Sequence, residues 1–395
     1  MTEKKLIENE SWIGKLAILV PFVTLLMSTH HYISNFIWGG GATSFKLGQI
    51  IWPLCIVVGV FVFLTSLKAK YSFTNVFAAY VIYYSIGALL SPTLTKDEVI
   101  NECIYTLLFF ALIVLFMNNS SKYGISNFFR YGICLILPLA FFAYQALIDE
   151  YNVSASKTYN TVYYFVYYLP FAFFEKKNSI RIFEIGIIFV AVILSNKRTA
   201  FIVLIVSAIY YFYRMNKEAT QKKRSKIGVL LFTIVIGIAV YYIFTQVMAD
   251  NTNINWQNRF EALEGGSGRS ERYQQFFKDM KDANLFQIVF GHGVAYPLYH
   301  NDLMQVIYNS GIIGASFYIV MCVQLVLMYK EMNKKKYRFM TSYGISLIIF
   351  FLNSAVGQVI VLHTWTLQIM VYWGLVFGDF YKESKLLCDK EGEKM

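Results

Sequence analysis

Run after run of about twenty apolar residues, separated by short basic or polar turns, most narrows what this chain can fold into. Backbone amides and carbonyls among lipid tails find no water, so such runs persist as helices that satisfy their own hydrogen bonds. A hydrocarbon layer about 30 Å thick takes about 20 residues at 1.5 Å each. By that measure the apolar runs divide into about twelve spans. They lie near residues 15–33, 47–67, 73–90, 99–117, 127–148, 160–174, 180–195, 199–213, 227–249, 301–329, 338–358 and 360–380. The expected fold class is therefore an all-α polytopic membrane protein, with residues 1–395 forming one integral membrane domain. A content of 57% hydrophobic and 15% charged residues agrees.

A net charge of +11 brings nucleic acid to mind, and the placement of the charge argues against it. With the N-terminus inside, 25 of the 35 Lys and Arg residues fall on the cytoplasmic side, among them Lys68, Lys70, Lys176, Lys177 and Lys334 to Lys336. That is the positive-inside bias of membrane proteins, so the basic excess reports topology. It puts both termini in the cytoplasm and the large loop of residues 250–299, between the ninth and tenth spans, outside it. Lys4 and Lys5 ahead of an apolar run resemble a signal sequence, but no small-residue cleavage site follows, which reads as an uncleaved anchor. Cys55, Cys103, Cys134 and Cys322 fall singly in apolar spans, with Cys388 in the tail, so no disulfide framework is expected.

The exceptions to the charge rule carry the functional signal. Ser195-Asn196-Lys197-Arg198-Thr199 is a tight outward turn between spans of about 15 residues, which reach only about 22 Å. Such a turn sits low against the headgroups, where Lys197 and Arg198 either snorkel to lipid phosphates or bind an anionic substrate. In the outer loop, Gly265-Gly266-Ser267-Gly268 leads into a helix with Ser270 as N-cap and Glu271 in its first turn. Tyr273, Phe276, Phe277 and Met280 recur at helical spacing, the pattern of a helix lying flat on a membrane. Arg269 at its start suits bidentate contact with a phosphate. Alternatively, Arg269 and Arg272 pair with Glu261, Glu264 or Glu271.

His300 is one of only 5 histidines and stands where the loop re-enters the membrane. Asn301 or Asp302 suits the N-cap of the next helix, whose partial positive charge disfavours imidazolium. A neutral imidazole there accepts a proton from a hydroxyl as a general base; the plainer alternative is an interfacial histidine bonded to a loop carbonyl. Gly311 and Gly314, with Ser310, equally suit close helix packing. Tyr159, Tyr163 and Tyr167 share a helix face and Tyr80, Tyr83 and Tyr84 crowd another span, as an interfacial aromatic belt or a surface on which sugar rings stack.

Taken together, these motifs resemble the O-antigen ligase and polymerase superfamily of bacterial polysaccharide assembly. The resemblance rests on His300-Asn301 ending a large late loop, Gly311 and Gly314 following, and Gly291-His292-Gly293 before it. Arg198 looks like the family's upstream arginine on an outer turn and Arg269 like its loop arginine. The likeness covers roughly residues 180–320. Ligases often carry leucine four residues after the upstream arginine, and Ile202 stands there, so that motif favours the superfamily over its ligase branch.

The resemblance implies a GT-C-like transferase acting on undecaprenyl-diphosphate-linked oligosaccharide at the outer face of the cytoplasmic membrane. Arg198 and Arg269 would hold the diphosphate, and His300 would activate the acceptor hydroxyl, with inversion at the anomeric carbon. Lys197, Arg272, Asn301 and His292 would contact substrate. The scheme uses neither metal nor cofactor, and the first outer loop, residues 34–46, contains no acidic residue with which to build a divalent-metal site. Membrane lipids, a flippase and a chain-length regulator are the implied partners. Polymerase is the favoured branch, because the Lys- and Ile-rich usage fits an AT-rich genome of a cell without lipid A. Ligase-type transfer is the first alternative and a lipid-linked oligosaccharide flippase the second; carriers usually show internal repeats and central ionisable residues, and neither stands out here.

Overall fold

The computed structural model describes residues 45–65, 72–91, 94–125, 162–195, 197–221, 269–294, 299–357 and 363–392. Every regular element among them is a helix: α1 (Phe45–Thr65), α2 (Ser72–Leu89), α3 (Lys96–Tyr123), α4 (Val162–Ala172), α5 (Asn178–Leu194) and α6 (Arg198–Gln221). These are followed by α7 (Arg269–Asp282), α8 (Leu285–Phe290), α9 (Asp302–Lys334), α10 (Met340–Val356) and α11 (His363–Gly392). The expected spans at 15–33, 127–148 and 227–249, the glycine turn at 265–268 and residues 34–44 of the acid-free loop lie outside the described residues. Of the described helices, α2, α3 and α9 are long and apolar enough to cross a membrane, and Pro53–Thr65, Thr199–Met215 and Met340–Val356 are shorter apolar stretches. The chain is a membrane protein built from helices.

The closest packing is between α3 and α11, and glycine makes it possible. A Cβ on Gly374 would lie 2.6 Å from the Ile113 carbonyl oxygen, and one on Gly378 would strike the Met117 carbonyl and Ser120 hydroxyl. Two glycines four residues apart thus let the backbones meet, the small-residue device that replaces hydrophobic drive inside lipid. Trp373 lies beside them, fully buried, and donates to the Ser346 hydroxyl at 3.0 Å.

At one end of the bundle a charged cluster ties α11 to the α9–α10 turn. Asp379, 1% exposed, accepts both bonds of the Arg338 guanidinium at 2.9 and 2.8 Å and a third from Tyr337 at 2.8 Å. Both of the guanidinium bonds come from Nη2, and Nε of Arg338 meets Glu383 at 2.9 Å. Of the two tyrosine clusters, Tyr80, Tyr84 and Tyr167 are core, at 0%, 2% and 0% exposure, whereas Tyr83 and Tyr163 are half-buried and Tyr159 lies outside the described residues.

The opposite end carries the main departure from expectation. Residues 301–329 were expected to form one continuous span, but Gly311 breaks α9 with φ 62° and ψ −165°. Asp302 lies within electrostatic reach of Tyr318, although a straight helix would put sixteen residues about 24 Å apart. The nine residues Asp302–Ser310 are therefore folded back against the span that begins at Ile312. The turn between α5 and α6 is present as expected, yet α6 runs 24 residues rather than about 15, with an apolar stretch of Thr199–Met215.

Candidate functional site

The break at Gly311 frees the carbonyls that end the short helix, and those groups need partners inside the bundle. The Gly291-His292-Gly293 segment supplies them. His292 N–H donates to the Tyr308 carbonyl at 2.8 Å and Gly293 N–H to the Asn309 carbonyl at 3.1 Å, while the Tyr83 hydroxyl donates to the Ser310 carbonyl at 3.0 Å. Such backbone contact tolerates no side chain on either strand. A Cβ on Gly291 would strike Asn309 and one on Gly311 would strike Val289, and both residues have positive φ. The glycines of the motif thus build the fold-back that presents His300.

His300 is exposed and has φ 54°, one of two non-glycine residues with positive φ among those described. L-residues rarely hold that conformation unless their neighbours fix it, and functional sites are where it collects. Both neighbours are fixed. Asn301 is the N-cap: its Oδ1 accepts from Met304 N–H at 3.1 Å and its Nδ2 donates to the Ala355 carbonyl at 2.9 Å, pinning the loop to the end of α10. Asn301, expected to contact substrate, thus also holds the backbone beside His300. On the other side, Tyr299 is buried, and its N–H donates to Gln305 at 3.1 Å.

Tyr299 also fastens the loop helix. Its hydroxyl donates to Asp279 at 2.6 Å and its ring meets Phe276 edge-on at 5.3 Å. Burial first, then the bond to Asp279, pushes the phenol far above its ordinary range, so it remains a donor at any working pH. Arg269, Arg272 and Phe276 are spaced i, i+3, i+7 along α7, and Phe276 is the residue of the three that docks on Tyr299. Arg272 itself is exposed. Two local expectations change: Ser270 lies inside α7 rather than capping it, and Phe276 is buried on Tyr299 rather than facing lipid. Phe277 on α7 and Leu285 and Phe286 on α8 form the exposed apolar face, at 64%, 77% and 67% exposure.

Arg198 is placed by its backbone at the first position of α6. Two registers give its level. Against α10, Arg214 Nη2 reaches Met340 Sδ at 3.5 Å and Tyr210 packs on Gly344, an antiparallel pairing that carries up to set Arg198 level with Val356. Against α9, Tyr210 bonds Tyr329 at 2.8 Å and Arg214 bonds Asn333 at 3.3 Å, a parallel pairing that sets Arg198 level with Phe317. Both meet at the height where Tyr318 and Ser354 bond at 2.5 Å and where Ala355 holds Asn301. Lys197 is half-buried, with its N–H on the Ser195 hydroxyl at 3.2 Å. The arginine turn and the histidine loop therefore share one end of the bundle. His292 is engaged locally: its ring stacks on Tyr308 at 4.3 Å, with Nδ1 3.3 Å from the Tyr308 carbonyl.

Residues not singled out in the sequence complete the support. Asp302, Gln305 and Asn309 form a polar stripe on the folded-back helix, all 2% exposed or less. Gln305 donates to Asn309 at 3.0 Å, and Asn309 lies beside Tyr84, whose hydroxyl donates to Glu102 at 3.1 Å. Their i, i+3, i+7 spacing in an apolar run was the available signal.

The arrangement defines an all-helical membrane protein with a histidine loop and an arginine turn at one end of its bundle. Residues 183–319, from α5 into α9, match the family model of O-antigen ligase. That match supports a membrane glycosyltransferase of the ligase or polymerase type. No curated protein matches the chain.

Proposed function

We propose that this protein is a polysaccharide polymerase with a GT-C-like bundle of about twelve spans. It moves a growing glycan from undecaprenyl diphosphate to a sugar hydroxyl of another lipid-linked repeat unit. The end of the bundle bearing His300 faces outward, the loop of residues 250–299 lies outside the cytoplasm, and both termini lie inside. The single observation that supports this reading is the pair of bonds fixing Asn301 to Met304 and Ala355, which clamp the loop bearing His300 to the end of α10. His300 takes the proton of the attacking hydroxyl. Arg198 and Arg269 stabilise the charge that gathers on the departing diphosphate, helped by Lys197 and Arg272; fixed positive charge in a site poor in water is the effective form of such help. His292 meets the substrate with the ring edge that Tyr308 leaves open. Protein groups supply the base and the cations, so no metal enters the scheme.

Purified protein with lipid-linked repeat units on its outer face tests this directly. The wild type lengthens the glycan, and His300→Ala abolishes lengthening while reaching the membrane at normal levels. Near-normal chain length in that variant removes the general-base role. A carrier would leave the glycan unchanged.

A further inference from the structure

The helix α8, Leu285–Phe290, is 6 residues long and buries none of them. Leu285, Phe286 and Phe290 are all exposed, and the rings of Phe286 and Phe290 lie 4.8 Å apart. So short a helix forms only where its surroundings support it, and a cluster of Leu and Phe left in water is costly. The transfer mechanism makes no use of it.

Named contacts fix the height of α8 along the spans. The Tyr83 hydroxyl, which donates to the Ser310 carbonyl, also reaches the Phe290 carbonyl at 3.2 Å. The Val289 carbonyl abuts Gly311, where the spanning part of α9 begins. Tyr83 stands six residues before the end of α2 at Leu89, about 9 Å along the helix axis. Ile86 and Leu89, both exposed, carry the lipid-facing surface of α2 past that level, and Ile82 and Ile312 are exposed beside it. The apolar face of α8 is therefore continuous with the lipid-facing surface of α2 and α9 and sits within its height rather than above it.

Backbone and charge suit that depth. Polar backbone groups among acyl chains have to be satisfied within the protein. At the start of α8, Asn284 Oδ1 accepts from Gln287 N–H at 2.9 Å and Gln287 Oε1 accepts from Asn284 N–H at 3.0 Å; at its end, Gly291 N–H donates to the Gln287 carbonyl at 2.8 Å. Lys278, Asp279, Lys281 and Asp282 stop just short of α8, and residues 283–291 carry no charge. A docking face for another protein is ringed by polar groups. Here the apolar surface runs on into the spans, which favours lipid as the occupant.

We propose that α8 is a membrane-inserted helix whose Leu285, Phe286 and Phe290 contact acyl chains of the leaflet at the His300 end of the bundle, fastening the loop to the bilayer. This rests on the chain being a membrane protein and not on the transferase reading, so either can fail alone. Full-length protein with the photoreactive p-benzoylphenylalanine in place of Phe286, and separately of Leu285, is reconstituted in vesicles of dioleoylphosphatidylglycerol and dioleoylphosphatidylethanolamine, irradiated and weighed intact. The same label in place of Ile319, exposed on the spanning part of α9, gives the yield for lipid contact; in place of Asp97, exposed in the first turn of α3, it gives the yield for water. We expect a phospholipid adduct at both α8 positions, with a yield comparable with that at position 319 and several-fold above that at position 97. Ester hydrolysis of the adduct then leaves oleic acid on the protein. The label at position 285 keeps the readout where the one at position 286 disturbs its stacking on Phe290. A yield as low as at position 97, a crosslinked dimer or a crosslink within the chain in place of the lipid adduct, or a headgroup remnant after hydrolysis overturns the proposal.

Discussion

His300 combines an exposed imidazole with a left-handed backbone, and the cost of the second is accepted only because the residues on either side are clamped. An alanine in that region costs about 1 kcal/mol more than glycine. We therefore expect His300→Gly to melt above His300→Ala by the equivalent of about 1 kcal/mol while both lack transfer. Recovery of activity in the glycine variant would assign the position to backbone shape instead of chemistry. Tyr299→Phe keeps the ring against Phe276 and removes the bond to Asp279. Because that bond steadies the helix bearing Arg269 and Arg272, we expect a rise in KM for the lipid-linked donor of about tenfold, the weight of one hydrogen bond to a charged group. Steady-state kinetics showing a fall in kcat with unchanged KM would contradict the assignment. His300, Arg198 and Arg269 could be singled out as candidates in the sequence because a histidine at the start of a span and arginines at turns stand against an apolar background. The Tyr299–Asp279 bond was not, since nothing local ties two residues twenty positions apart.

At the scale of elements, the fold-back of α9 depends on Gly311. Gly311→Ala drives a methyl into the Val289 carbonyl and forces positive φ on alanine, so we expect a loss of more than about 1 kcal/mol of stability, read as a lower melting temperature. The helices themselves were readable from apolar run length, and α2, α3 and α9 fall where the runs predict. The break was not readable, because a glycine in an apolar run looks like a packing residue until its freed carbonyls find Gly291-His292-Gly293. The same holds for α7, where period alone cannot say whether Phe276 faces lipid or Tyr299. At the far end of the bundle, Arg338→Ala strands the buried Asp379 carboxylate, whereas Asp379→Asn leaves only a half-exposed guanidinium. We expect the first to destabilise by about 3 kcal/mol and the second by less, compared by thermal unfolding.

Across the whole molecule, two helix registers and one side-chain clamp bring the start of α6 and the end of the loop to a single level. The family match over residues 183–319 supports a membrane glycosyltransferase of the ligase or polymerase type above a carrier. Buried carboxyl groups do occur, as Glu184 and Asp302 show, but Asp302 belongs to the support of the histidine loop. Arg198→Lys retains charge and loses the planar fork, so turnover should fall well below wild type; wild-type turnover would mean that the residue only reaches for headgroups. The most direct test of the account is glycan lengthening by purified protein in vesicles that present undecaprenyl-diphosphate-linked repeat units on the outer face, in excess chelator. The account predicts lengthening by the wild type and none by His300→Ala. Unchanged glycan with the wild type, or equal lengthening by both, would contradict it.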